Sequence, residues 1–283
     1  MSAVSGAVPV RRGQPAHMRA WRFVRRHVLD VYALLALAYL FLPIGIVVAF
    51  SFNNPLGRFN YTWQGFTFSN WAHPLGYPGL GSAIQISIEI ALLSALFATI
   101  LGTLIALALV RYKFRGSATT NLLIFIPMTT PEIVMGASLL TLFLNWKIPQ
   151  GFGTILIAHI MFNISYVVVT VRARLVGFDR HLEEAAMDLG ANEAVTFLRV
   201  TLPLIAPGIL AAALLSFALS IDDFVITYFN AGTVTTFPLF VWGAARVAVP
   251  PQINVIGTAI FVIAVGGMLG NVLIQNRRAR RAA

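Results

Sequence analysis

Residues 80–110 read LGSAIQISIEIALLSALFATILGTLIALALV, an apolar run in which Glu89 is the only charged residue. At about 1.5 Å of rise per residue, about 20 residues cross a 30 Å hydrocarbon layer. This run is longer than that, and a soluble core helix has no use for such length without a polar face. Comparable runs lie on either side of it, at 28–50, 119–145, 154–172, 205–228 and 253–275. Backbone polar groups in lipid must bond internally, so apolar segments of this length cross as helices. The expectation is an all-α membrane protein of about six transmembrane helices.

Composition agrees. Hydrophobic residues make up 58% of the 283, charged residues 11%, and mean hydropathy is +0.80. A soluble domain carries about 25% charged residues, so this chain lacks the surface a water-soluble fold needs. Residues 1–27 are expected to be a basic cytoplasmic tail, disordered over 1–20, residues 28–275 one transmembrane domain, and 276–283 a second basic tail. The first run follows Arg22, Arg25 and Arg26. It exceeds the length of a signal-peptide core and lacks a small-residue cleavage site, so a retained helix is expected.

Net charge is +10. Its placement points to lipid headgroups rather than nucleic acid. With the N-terminus inside and the spans alternating, 17 of the 20 Lys and Arg fall on one side and only Arg58, Lys147 and Arg246 on the other. The positive-inside rule then puts both termini in the cytoplasm. There is no cysteine, which removes disulfides, thiol catalysis and Cys-ligated metals. His17, His27, His73, His159 and His181 are too scattered for a metal centre. His159, inside a span, is expected to be a hydrogen-bonded packing residue.

No Lys or Arg lies within a span, but acids do: Glu89, Glu132, Asp222 and Asp223. By the helical rise, Glu89, Glu132 and Asp222 fall in the outer half of the bilayer, within about two turns of one another. An isolated charge there costs at least ~2.5–3.5 kcal/mol. Protonation, a basic partner from another subunit, a wet cation path or hydrogen bonds between helices each answer that cost. In a continuous helix Asp222 and Asp223 point about 100° apart, so one of them faces any lumen. Pro131 before Glu132 is expected to bend the third span, and broken helices often sit at membrane substrate sites. Trp63, Trp71, Tyr228 and Trp242 read first as an interfacial belt, and alternatively as cation–π partners for an amine. Gly266 and Gly270 form a GxxxG suited to close helix packing.

The most polar stretch is 177–208, GFDRHLEEAAMDLGANEAVTFLRVTLPLIAPG, which holds half of the ten acids. Asp179 is a suitable N-cap for a short helix, Gly190 a suitable C′ residue, and Asn192 a cap for a second helix. Leu182, Ala185, Ala186 and Leu189 share one face. They suit either a membrane surface or a docking partner. Glu184-Ala185-Ala186, three residues, Gly190, nine residues, Val200, one residue, then Leu202-Pro203 resembles the EAA loop of ABC importer permeases, with Val in place of Ile the only departure. The resemblance implies a type I ABC importer permease fold and a coupling loop over 177–203. Glu184 would contact an ATPase, Ala185, Ala186 and Leu189 would form the docking face, and Gly190 the turn.

Six further segments resemble the C-type permeases of spermidine/putrescine importers: SFN at 51–53, WQGFT at 63–67, RYKFRG at 111–116, PEIVMGASLL at 131–140, YVVVTVRARL at 166–175 and LSFALSIDDFVITYF at 215–229. The resemblance implies two ATPase subunits, a second homologous permease, an extracytoplasmic binding protein, and a place in the cell membrane. ATP and Mg2+ would sit on the ATPase, with no cofactor on this chain. Consistently, the two lysines, Lys113 and Lys147, follow Tyr112 and Trp146 and cannot serve a Walker A motif. Expected pathway residues are Glu132, Asp222, Asp223, Glu89, Tyr228 and Trp242, none of them catalytic. A permease for another small solute keeps the same class. An ion-coupled transporter would use the acids as ion sites, but the EAA loop argues against it.

Overall fold

The computed structural model describes residues 16–112 and 114–282, with side chains from His27 onward except 268, 271, 272 and 274–282. Arg11 and Arg12 of the tail, and Lys113, lie outside the described residues. Helices account for most of it: α1 (Ala16–Phe50), α2 (Ser69–Ala72), α3 (Leu80–Arg111), α4 (Ser117–Thr129), α5 (Glu132–Asn145), α6 (Phe152–Val176), α7 (His181–Asp188), α8 (Glu193–Thr196), α9 (Leu202–Ile221), α10 (Val225–Asn230), α11 (Phe237–Val247) and α12 (Pro251–Ala282). A π-helical stretch, Phe197–Thr201, joins α8 to α9. The described residues contain no β-strand, and an isolated bridge joins Asn53 and Phe66.

Among the described residues four helices are long and apolar enough to cross a membrane, and α4 with α5 makes a fifth if that bent pair is one span. In α12 the described residues carry an apolar helical stretch over Pro251–Gly267. Two boundaries differ from the sequence reading. Helix α1 starts at Ala16, inside the segment expected to be disordered, and α12 continues to Ala282 through the basic tail. Neither segment contains a helix breaker, and Arg and Ala are good helix formers.

The chain divides into two units, one of residues up to Pro74 with Pro251 onward, the other Leu75–Pro250. In the first, α1 packs on α12, with Phe41 and Phe261 edge to face at 6.5 Å. The apolar window of α1 is otherwise unburied. The connection after α1 is pinned by asparagines. Asn53, fully buried, donates to Asn60 Oδ1 at 2.6 Å and accepts from the Gln64 amide at 2.8 Å, while Asn70 donates to the Asn53 carbonyl at 2.8 Å. Gly266 and Gly270 have nothing within 4 Å of where a Cβ would stand, so the expected GxxxG packing does not occur among the described residues.

In the second unit α3, α6 and α9 form the core. Helix α3 buries Ser87, Ala91, Ala95, Ala98, Gly102 and Ala106 along one stripe, and α6 and α9 pack against it. Small residues at this spacing let helix backbones approach closely, the main source of adhesion where lipid removes the hydrophobic effect. Val167, Val168, Val171 and Ile205 fill the space between.

Candidate functional site

The third apolar run is interrupted where Pro131 predicts. Helix α4 ends at Thr129, α5 begins at Glu132, and the two meet at 108°. Pro131 lacks the amide that would continue the ladder and holds Thr130 extended, at ψ 132°. Glu132 becomes the first residue of α5, where the positive end of the helix dipole favours a carboxylate. Helix α5 is seated on α10 by Leu139, Phe143 and Ile226. The approach is closest at Gly136, where a Cβ would stand 2.8 Å from the Phe229 ring.

The fifth run is interrupted too, which the sequence does not announce. Helix α9 stops at Ile221 and α10 begins at Val225. A continuous helix through Asp222 and Asp223 is therefore corrected to a break, and the two acids have unlike surroundings. Asp222 ends α9 and is exposed, and no other side chain bonds it among the described residues. The Asp223 side chain is 5% exposed. Its Oδ2 accepts from the amide and the hydroxyl of Thr227, both at 2.8 Å, and lies 3.2 Å from His159 Nε2. His159 is held at Nδ1 by Ser220 Oγ, 2.7 Å away, and Ser94 Oγ donates to Ser220 Oγ at 2.9 Å. Of the answers to the cost of a charge in the membrane, Asp223 takes hydrogen bonding between helices, to a histidine of its own chain.

Glu132, Asp222 and Asp223 are brought together, with both aspartates and Tyr166 within electrostatic reach of Glu132. Glu132 is exposed and has no hydrogen bond or ion pair among the described residues. Glu89 does not join them: it lies on the exposed side of α3 and accepts from Gln85 Nε2 at 2.8 Å. Tyr228 and Trp242 both pack on Phe224, at 5.6 and 5.1 Å. The face of Trp242 is already covered by the Arg246 guanidinium at 4.6 Å, which leaves Tyr228 as the freer ring.

The polar loop folds into the two short helices expected, with one change of face and with the first helix starting one residue late, at His181, so that Arg180 rather than Asp179 holds the N-cap position. Asp179 Oδ1 accepts from the His181 amide at 3.0 Å, and Asn192 Oδ1 from the Val195 amide at 2.8 Å. At the far end of α7 the Gly190 amide bonds the Met187 carbonyl and the Ala191 amide bonds that of Ala186. This is a Schellman turn, with Gly190 at φ +90°. Glu183, however, turns inward to pair with Arg111 at the end of α3 and with the Thr201 hydroxyl. Arg180 donates to the Val110 carbonyl at 3.1 Å. Leu182, Glu184, Ala185 and Leu189 face outward, and Leu189 is 90% exposed. Sequence reasoning missed Arg111 and Glu183 as partners, and His159 as the partner of Asp223. The signal in each case is an unpaired charge, which says that a partner exists without saying where.

Residues 98–281 match the family of binding-protein-dependent transport system inner membrane components. The spermidine/putrescine transport system permease protein PotC of Escherichia coli is 40% identical over 244 residues, 86% of this chain and 92% of that one. The putrescine transport system permease protein PotI of the same organism is 39% identical over 238 residues, 81% and 84% of the two chains. Among solved structures, a bacterial ABC transporter involved in import of the acidic polysaccharide alginate superposes with a TM-score of 0.62 at 18% identity, covering 93% of this chain and 98% of that one. That likeness shows the fold, and the sequence matches show the kinship: the chain belongs to the family of inner membrane components of binding-protein-dependent transport systems.

Proposed function

We propose that this chain is one permease of an ATP-driven importer of polyamines such as spermidine and putrescine, and that Glu132 and Asp222 draw the cation through its half of the pathway. The observation that carries the reading is the pair of broken helices. Each break leaves an exposed carboxylate without a protein partner, and the two lie within electrostatic reach. Two acids left unneutralised at membrane depth suit an organic cation, and the kinship with polyamine permeases agrees.

The outward face of α7, with Glu184, Ala185, Leu189 and the Gly190 turn, is the surface for a separate ATPase, two copies of which would carry ATP and Mg2+. A second permease would complete the pathway, and an extracytoplasmic binding protein would deliver the solute. Both termini lie in the cytoplasm and the complex in the cell membrane. The test is uptake of labelled spermidine and putrescine by a strain lacking this chain and any other polyamine importer, with and without the gene restored. Uptake should return with the gene, and the Asp222→Asn form should restore less than the wild type. Unchanged uptake on deletion would remove the polyamine reading.

A further inference from the structure

We propose that Asp223 and His159 are positioning residues: together they fix the break between α9 and α10, so that Asp222 alone of the acidic pair meets the cation. The inference rests on the reading of Glu132 and Asp222 as the cation path, and it assigns opposite roles to two neighbouring, chemically identical side chains.

Asp223 has little capacity left for a substrate, because its side chain is 5% exposed and one of its oxygens already faces three donors. A carboxylate offers about four acceptor directions. Here Oδ2 takes the Thr227 amide, the Thr227 hydroxyl and His159 Nε2, and Oδ1 faces the Ile226 amide at 3.4 Å. The Ile226 and Thr227 amides are among those a helix start leaves without an intrahelical acceptor, so Asp223 caps α10. His159 gives the cap its direction. Its ring, 3% exposed in the side chain, lies between Ser220 at the end of α9 and Asp223 with Thr227 at the start of α10. Ser94 ties the same cluster to α3. Four helices, α3, α6, α9 and α10, therefore meet at one hydrogen-bonded group, and it sits at the break.

The break in turn sets what Asp222 does. With α9 ended at Ile221, Asp222 occupies the C-cap at φ −100°, ψ −2°, and its carboxylate is left on the exposed side. Glu132 lies within electrostatic reach across the second break. A helix continued through 222–224 would carry both acids round the axis and misplace both.

The test uses the whole complex, purified and reconstituted with its ATPase, second permease and spermidine-loaded binding protein. Spermidine uptake kinetics and the thermal midpoint are measured for each variant. Asp222→Asn should raise KM about tenfold or more, the loss of one charge-assisted bond, with the midpoint unmoved. Asp223→Asn keeps an acceptor for the Thr227 amide, so KM should stay at the wild-type value. Asp223→Ala and His159→Ala should lower the midpoint and, by misplacing Asp222, raise KM, and the losses in the double variant should be less than additive, because both single variants remove the shared His159–Asp223 bond. A rise in KM for Asp223→Asn equal to that of Asp222→Asn, with an unmoved midpoint, would make Asp223 a ligand and end the proposal. So would additive losses of midpoint in the double variant. If the wild-type complex hydrolyses ATP but moves no polyamine, the substrate reading has failed, and the midpoints still decide whether His159 and Asp223 act as one unit.

Discussion

Gly190 has nothing within 4 Å of the place where a Cβ would project, so torsion rather than space decides what it tolerates. At φ +90° an L side chain costs about 1–2 kcal/mol, except that Asn adopts the left-handed region more readily. Gly190→Asn should therefore keep the α7 turn and the co-purifying ATPase, whereas Gly190→Val, with equal room, should lose both. Retention of the ATPase by the Val form would show that the turn does not orient the docking face. One turn earlier, Glu184 Oε2 lies 3.1 Å from His181 Nδ1. That hydrogen bond, aided by the charges of Asp179 and Glu184, raises the His181 pKa above its ordinary value. The protonated ring is the form that pairs, so the contact is complete at low pH and is lost as pH rises through the raised value. In Glu184→Gln the titration, followed by NMR of labelled histidine, should move back down. A midpoint unchanged by that substitution would remove the pairing and leave Glu184 uncompensated at every pH.

At the scale of the element, α7 is fastened rather than laid on a surface. Arg180 holds the end of α3, while Arg111 and Thr201 hold Glu183, and these last three line a cleft of about 190 Å³ beside the π-helical stretch. The Arg111–Glu183 pair is only partly exposed, at 29% and 15%, so loss of one partner leaves a charge poorly solvated. Glu183→Gln should cost about 1–3 kcal/mol of local stability. It should raise amide exchange across 179–190 while leaving α3, α6 and α9 protected. Unchanged exchange there would mean that the pair does not hold the loop. The helical period of the sequence grouped Leu182, Ala185, Ala186 and Leu189, of which Leu182, Ala185 and Leu189 are exposed and Ala186 is half-buried. It was silent on which face meets the bundle, because that is decided by Arg111, 72 residues away. The same contrast separates the two broken helices. The bend at Pro131 was legible because a missing amide acts on its own turn. The break at Asp222–Phe224 was not, because Ser-Ile-Asp-Asp-Phe contains no breaker and the acceptor geometry is imposed by His159, 64 residues from Asp223.

At the scale of the molecule, the 108° bend between α4 and α5 leaves two topologies to be separated: a broken span that crosses, or a re-entrant pair that returns. The choice changes the side of every later loop, and the distribution of basic residues responds sharply. If the pair crosses, 17 of the 20 Lys and Arg lie on the side of the N-terminus; if it returns, only 11 do and the asymmetry is gone. Because Lys and Arg near span ends set orientation, the crossing form is expected. Absence of native cysteine makes the test clean. Leu56, before α3, and Leu189, after α6, are 89% and 90% exposed. With three crossings between them they stand on opposite faces of the membrane; with two they stand on the same face. Leu56→Cys should react with a membrane-impermeant thiol reagent added to spheroplasts, and Leu189→Cys should react only after the membrane is opened. Labelling of both from outside would make α4 and α5 re-entrant. It would also move α7 away from the cytoplasm, where the ATP is, and with it the whole coupling assignment.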